Sequence, residues 1–298
     1  MDGYQSLIER LQNGDRILID GATGTEIERR GVPMVSNAWN GGGALTNPDI
    51  VREVHEDYIR CGAQILISNT FSTSRHVLED AGLEEHFELL NRRGVELACE
   101  ARENMKTPHV LVAGGITDWS FTGKIPTHRQ LRANMEEQAV IMANAGADLI
   151  MLEMMSDIER MLIVLDAAQK SGLPVWVGFS CQLDKLGEPH LLDGPTLFDG
   201  VKAIEEKEVP VVSIMHTEVE YVDACINVLK ANWGGPIGVY AHSGQFVEPN
   251  WIFNDVISPE DYASAAESWL EQGVQVVGGC CGIGLEHIQL LKDIVTNP

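Results

Sequence analysis

At 298 residues and 44% apolar content the chain can bury a large core, yet it has no apolar run of the roughly 18 residues that a membrane-spanning helix needs. Its formal charge of −23, from 44 acidic and 21 basic residues, repels phosphate backbones and anionic lipid surfaces, so neither nucleic acid nor membrane is an expected partner. A polar start over 1–16 carries no export signal, and six cysteines in such a chain point to reduced thiols or metal ligands in the cytoplasm, not to a disulfide framework.

Apolar, β-branched segments bounded by turn residues occur at 17–20, 64–69, 110–114, 149–153, 175–179, 211–215, 237–240 and 274–278. Helical periodicity fills intervals between them, at 48–61, 131–145, 156–170, 221–231 and 259–272. Several of these helices hand over through small residues such as Cys61-Gly62-Ala63 and Gln272-Gly273-Val274, where glycine is the usual helix stop. A doubly wound open sheet shares the alternation. Eight units without a dinucleotide fingerprint, a linker or a low-complexity tract instead predict a single (β/α)8 TIM barrel over 1–298.

Barrel chemistry gathers at the C-terminal ends of the strands, so those ends serve as a register of candidate site residues. They fall at 20–26, 69–75, 114–119, Glu153, 180–184, His216 with Thr217, 240–244, and Cys280 with Cys281. The last pair sits in Gly278-Gly279-Cys280-Cys281-Gly282, a small-residue turn able to offer two thiolates to one soft metal ion. Two buried structural thiols or a vicinal disulfide are the alternatives. His216 would project into the same mouth, and two thiolates plus one imidazole make the open three-ligand set of catalytic zinc. Tyr240 or His242 would fill the fourth position or act from behind the ligands. A zinc hydrolase on this barrel is disfavoured because strand one ends in Asp20-Gly21-Ala22-Thr23-Gly24 and lacks a His-x-His pair.

The ordered set of segments resembles the homocysteine S-methyltransferase family, the zinc-dependent barrels that include betaine- and S-methylmethionine-using enzymes. The resemblance rests on Asp20-Gly21-Ala22-Thr23-Gly24-Thr25, Trp39, the segments 45–55 and 62–71, Ala113-Gly114-Gly115, 148–153, 240–244 and Gly-Gly-Cys-Cys-Gly, and it spans nearly the whole chain. It implies zinc held by Cys280 and Cys281, with His216 standing where the family has its first zinc cysteine, and homocysteine and a cationic methyl donor as small-molecule partners. Glu153 matches the family's glutamate that binds the amino group of homocysteine; a structural salt bridge is the competing role. Asp20 and Gly21 match the first-strand segment of the same pocket, with helix capping by Asp20 and Thr23 as the alternative. Trp39, Phe71, Trp119 and Tyr240 would wall the donor site through cation–π attraction. Asp20, Glu153 and Tyr240 are accordingly the expected catalytic residues. Where the family ends strand six in Asn-Cys, this chain reads Met215-His216, an imidazole for a thiolate.

The implied activity is methyl transfer from a sulfonium of the S-methylmethionine type to homocysteine, giving methionine. A betaine- or corrinoid-dependent transferase with another acceptor, and a non-enzymatic zinc- or thiol-binding barrel, are the alternatives. The short stretch after the cysteine pair lacks the arm that builds tetramers in betaine-using relatives, so a monomer or homodimer is expected.

Overall fold

A computed structural model describes residues 3–247, 250–252 and 256–296. Its eight barrel strands are β1 (Ile17–Leu18), β2 (Ile65–Ile67), β3 (Leu111–Ile116), β4 (Leu149–Met155), β5 (Val175–Phe179), β6 (Val212–Glu218), β7 (Ile237–His242) and β8 (Val276–Val277). Each pairs in parallel with its sequence neighbour, β8 returns to β1 through Ile17↔Val276 and Leu18↔Val277, and the bridge Ile19↔Ile65 joins β1 to β2. The sheet is therefore closed into the expected (β/α)8 barrel.

The strands read as continuous apolar runs because both faces are covered: every residue of β3 and β4 is buried. Alternate residues divide between two cores. Leu111, Ala113, Leu149, Met151, Trp176, Met215 and Tyr240 fill the barrel interior, whereas Val112, Ile150, Leu152, Val177 and Ile214 pack outward against the helices. The five expected helices appear with ends displaced by at most three residues, as Pro48–Arg60, His128–Asn144, Ile158–Ala168, Val222–Asn232 and Pro259–Glu271. Thr127 opens one of them with a reciprocal capping box to Gln130, and Ser258 caps another ahead of Pro259.

Two features depart from the sequence expectation. The polar start is the amphipathic helix Gly3–Gln12, whose Leu7 and Leu11 join the interior core at the N-terminal end of the barrel, where Trp176 Nε1 donates to Tyr4 Oη at 3.0 Å. Two antiparallel hairpins, Cys181–Leu183 with Pro189–Leu191 and Gln245–Val247 with Asn250–Ile252, follow β5 and β7 on the opposite, C-terminal side. No helix among the described residues is long and apolar enough to cross a membrane.

One fully buried group sets an acid limit on the fold. His55 lies inside Pro48–Arg60 with neither ring nitrogen partnered, and burial lowers its pKa to about 4. As pH falls from 6.5 toward 4 the unfolded imidazole takes up a proton that the folded one refuses. Stability is thus complete above pH 6.5 and declines by about 3 kcal/mol across that window. His55→Leu is expected to flatten this segment of the stability–pH profile, measured by denaturant unfolding at pH 4.5 and 7.

Candidate active site

The cysteine turn is fixed by its neighbours on both sides. Beyond the two paired residues of β8, the ladder continues as Gly278 N to Val239 O, Gly279 N to Asp20 O and Cys280 N to Ala241 O, at 2.9–3.1 Å. Gly278 and Gly279 are required by crowding: a Cβ at either would stand 2.2 Å from a side-chain carbon of Ile19 or Ile283. Gly282 then turns the chain at φ +82°, and its N–H donates to Thr25 Oγ1.

His216 reaches the same point by a different device. The β6–β7 register shifts between Met215 and Glu218, and His216 itself adopts φ +43°, a left-handed conformation that costs a non-glycine residue about 1–2 kcal/mol. Hydroxyls brace the bulge. Ser180 Oγ and Thr217 Oγ1 both donate to Met215 O at 2.9 Å, and Thr217 Oγ1 accepts from Cys181 N. A matching shift in β4, with Met154 at φ +56°, carries Glu153 into the mouth. These two bulges explain why β4 and β6 run past their expected ends.

The ligand atoms of His216, Cys280 and Cys281 lie within 4.8 Å of one another. Cys280 Sγ is 3.5 Å from His216 Nδ1 and 3.9 Å from Cys281 Sγ. Tetrahedral zinc, at about 2.3 Å from sulfur and 2.0–2.1 Å from imidazole nitrogen, would separate sulfur from nitrogen by about 3.6 Å and sulfur from sulfur by about 3.8 Å. The donor set suits such an ion in kind, and both distances from Cys280 match it in spacing. Its protonation is consistent too: burial and the adjoining His242 lower the His216 pKa far below the ordinary value, leaving the neutral imidazole a metal needs. The hydrogen bond to Cys281, together with burial, raises the Cys280 pKa well above the thiol range, so two thiolates here call for a compensating cation.

Glu153 is buried and forms no hydrogen bond or ion pair among the described residues, which removes the structural salt bridge as its role. Desolvation raises its pKa to about 8. Gly115 makes room for it, since a Cβ there would lie 2.5 Å from Oε2. Gly115→Ala would therefore displace that carboxylate.

Asp20 does not cap the following helix. The helix Thr23–Arg29 begins after Ala22 with no side-chain cap, while Asp20 Oδ2 accepts the Ile67 N–H at 2.8 Å. The carboxylate is fully buried beneath the mouth, its Oδ1 has no hydrogen-bond partner, and burial holds its pKa well above the usual range.

Above these groups opens a cavity of about 620 Å³. Gly21, Trp39, Phe71, Trp119, Glu153, Tyr240 and the three candidate ligands all line it. Trp39 lies across Gly24, where a Cβ would meet the indole at 2.7 Å, and Tyr240 places its buried, unpartnered hydroxyl beside Gly178. Sequence reasoning missed Phe121, Glu218 and Tyr221, which also line the cavity. Glu218 ends β6 and Tyr221 follows three residues later, so reading the strand to Glu218 instead of Met215 would have exposed both.

Fold and mouth together define a class: (β/α)8 barrels that carry a soft-metal donor set and a buried carboxylate at their strand ends. A model of the family "Homocysteine S-methyltransferase" matches residues 17–295, and the chain belongs to that family. It is 26% identical to a selenocysteine Se-methyltransferase of Brassica oleracea var. italica, over 93% of this chain and 88% of that one. It is 28% identical to the homocysteine S-methyltransferase of Escherichia coli strain K12, over 95% and 96% of the respective chains. The metallated crystal structure of the Escherichia coli homocysteine methyltransferase MmuM superposes with a TM-score of 0.80 at 26% identity, covering 97% of this chain and 99% of that one.

Proposed function

We propose that this protein is a zinc-dependent methyltransferase that moves a methyl group from a sulfonium donor of the S-methylmethionine type to the thiol of homocysteine, forming methionine. The distances of Cys280 from His216 and Cys281, which match tetrahedral zinc, carry the reading. Bound there, zinc would supply the Lewis acidity that holds an acceptor thiol as thiolate at neutral pH.

The side chains supply position and dryness. Glu153, deprotonated on binding, pairs with the ammonium of homocysteine and fixes the thiol toward the three ligands; buried Asp20 sustains the floor through Ile67 N. Tyr240 offers its free hydroxyl to the substrate from the wall, with the Gly21 backbone closing the pocket opposite. Trp39, Phe71 and Trp119 face the positively charged donor and exclude water, so the acceptor sulfur meets the methyl carbon in line. A sulfur–carbon bond forms as the donor's carbon–sulfur bond breaks. The leaving group departs as a neutral thioether and needs no acid. All six cysteines are free, which suits a methionine-forming step in the reducing cytoplasm. The barrel over 1–298 would be a single homocysteine-binding domain, acting as monomer or homodimer.

The test is zinc content together with product formation, for homocysteine offered S-methylmethionine, dimethylsulfoniopropionate or betaine, and for selenocysteine as alternative acceptor. About one zinc per chain and methionine from a sulfonium is the expected result. Metal without methyl transfer from any donor would overturn the enzymatic reading, and absence of metal would overturn the site itself.

A further inference from the structure

We infer that Glu218 determines donor specificity in the proposed reaction by supplying the negative charge that holds a net-cationic methyl donor at the mouth of the cavity. The inference rests on the methyl-transfer reading above. Among the described residues lining the cavity there is no lysine or arginine, whereas two carboxylates, Glu153 and Glu218, face it. Their placement divides the work. Glu153 is buried at the floor, where it suits the acceptor. Glu218 stands at the rim with its side chain 44% exposed, open to a molecule arriving from solvent.

Glu218 is also held in place. His242 Nε2 lies 3.1 Å from its Oε1, and the His242 ring stands 4.3 Å from that of His216, centroid to centroid. The carboxylate thus sits one imidazole beyond a candidate metal ligand. Tyr221 follows three residues later and lines the same stretch of wall, adding an aromatic face to the carboxylate. With one oxygen engaged by His242, the second is available to an ammonium or onium group. A zwitterionic donor with no net charge would bring a carboxylate into a wall that has no cation to receive it. S-methylmethionine brings a carboxylate too, but its additional ammonium gives it a net positive charge and a second cationic group for Glu218 to receive.

The experiment compares wild type, Glu218→Gln and Glu218→Asp, using S-methylmethionine as the net-cationic donor and dimethylsulfoniopropionate as the neutral one. Glutamine preserves the hydrogen bond to His242 and removes only the charge, so a purely structural role for Glu218 predicts no change. The donor role predicts that Glu218→Gln raises the S-methylmethionine KM about threefold to fivefold, as expected for losing a part-exposed ion pair. The KM for homocysteine and the zinc content stay at wild-type values. The KM for S-methylmethionine rises with added salt in wild type but not in Glu218→Gln, the preference for S-methylmethionine over dimethylsulfoniopropionate shrinks, and Glu218→Asp keeps most of it. An active wild type whose S-methylmethionine KM is unchanged in Glu218→Gln, or shifted equally with that for homocysteine, overturns the inference alone. A wild type that binds zinc and homocysteine yet transfers no methyl from either donor overturns the proposed function and the inference with it.

Discussion

Replacing His216 with alanine is expected to reduce zinc from about one per chain to well below stoichiometric and to lower methyl transfer by on the order of 10³-fold or more. The scale follows from ligand count. Losing a residue that merely orients a ligand costs about 10–100-fold in metal affinity, and losing one of three direct ligands costs more. Cys280→Ser should behave in the same way. His216→Cys is the informative contrast, because cysteine keeps a soft donor at a position whose left-handed backbone, φ +43°, strains both residues alike. That variant should retain zinc and have a more electron-rich metal, with a correspondingly more nucleophilic but less readily deprotonated acceptor thiol. Metal analysis and the pH dependence of single-turnover transfer would distinguish the three variants. Undiminished zinc in His216→Ala would exclude the histidine as a ligand.

Glu153→Gln carries the second large effect, and it acts on binding and stability in opposite directions. In the free protein the Glu153 carboxyl titrates near pH 8, so below that pH it is protonated and must lose its proton to pair with an ammonium group. Homocysteine affinity should therefore climb about tenfold per pH unit from pH 6 to 8 on this account and level off above. The variant should lose that component and bind homocysteine about 100-fold more weakly at pH 8. Its stability shifts the other way. The folded pKa lies above the unfolded value of 4.5, so the wild-type fold is favoured below pH 4.5 and loses stability as pH rises toward 8. That loss is about 4 kcal/mol by pH 8. Without substrate, Glu153→Gln should accordingly melt higher than wild type at pH 8 and close to it at pH 4.5. Thermal unfolding at the two pH values and calorimetric titration with homocysteine would measure both effects. Equal melting temperatures at pH 8 would mean that Glu153 pays no desolvation cost.

The barrel was legible because its strands, covered on both faces, read as uninterrupted apolar runs, and because glycine marks the ends of the helices between them. The cysteine pair was legible for a chemical reason: adjacent thiols among glycines have few uses. His216 was visible only once strand order placed it in the same mouth. Its aim was not, since nothing in Met215-His216-Thr217 announces a bulge, and the positive φ values at Met154 and His216 occur without glycine. That hidden bulge also concealed Glu218 and Tyr221, which lie beyond the expected end of the strand. Helix capping stood as the alternative role for Asp20 because aspartate before a helix commonly caps it. Closure against β2 gives its carboxylate the Ile67 N–H instead, a long-range partner that local pattern cannot reveal.

The two-residue pairing of β8 bears on the order in which the protein becomes competent. His216 and Cys280 are 64 positions apart in the chain but 3.5 Å apart in space. Backbone bonds tie the cysteine turn to β7 on one side and to Asp20, just past β1, on the other. The imidazole reaches the thiols across β7, which pairs with both β6 and β8, so bringing the three ligands together requires these strands side by side and carries the entropy of closing a long loop. A metal ion held by all three residues would thus report that this last third of the barrel has assembled.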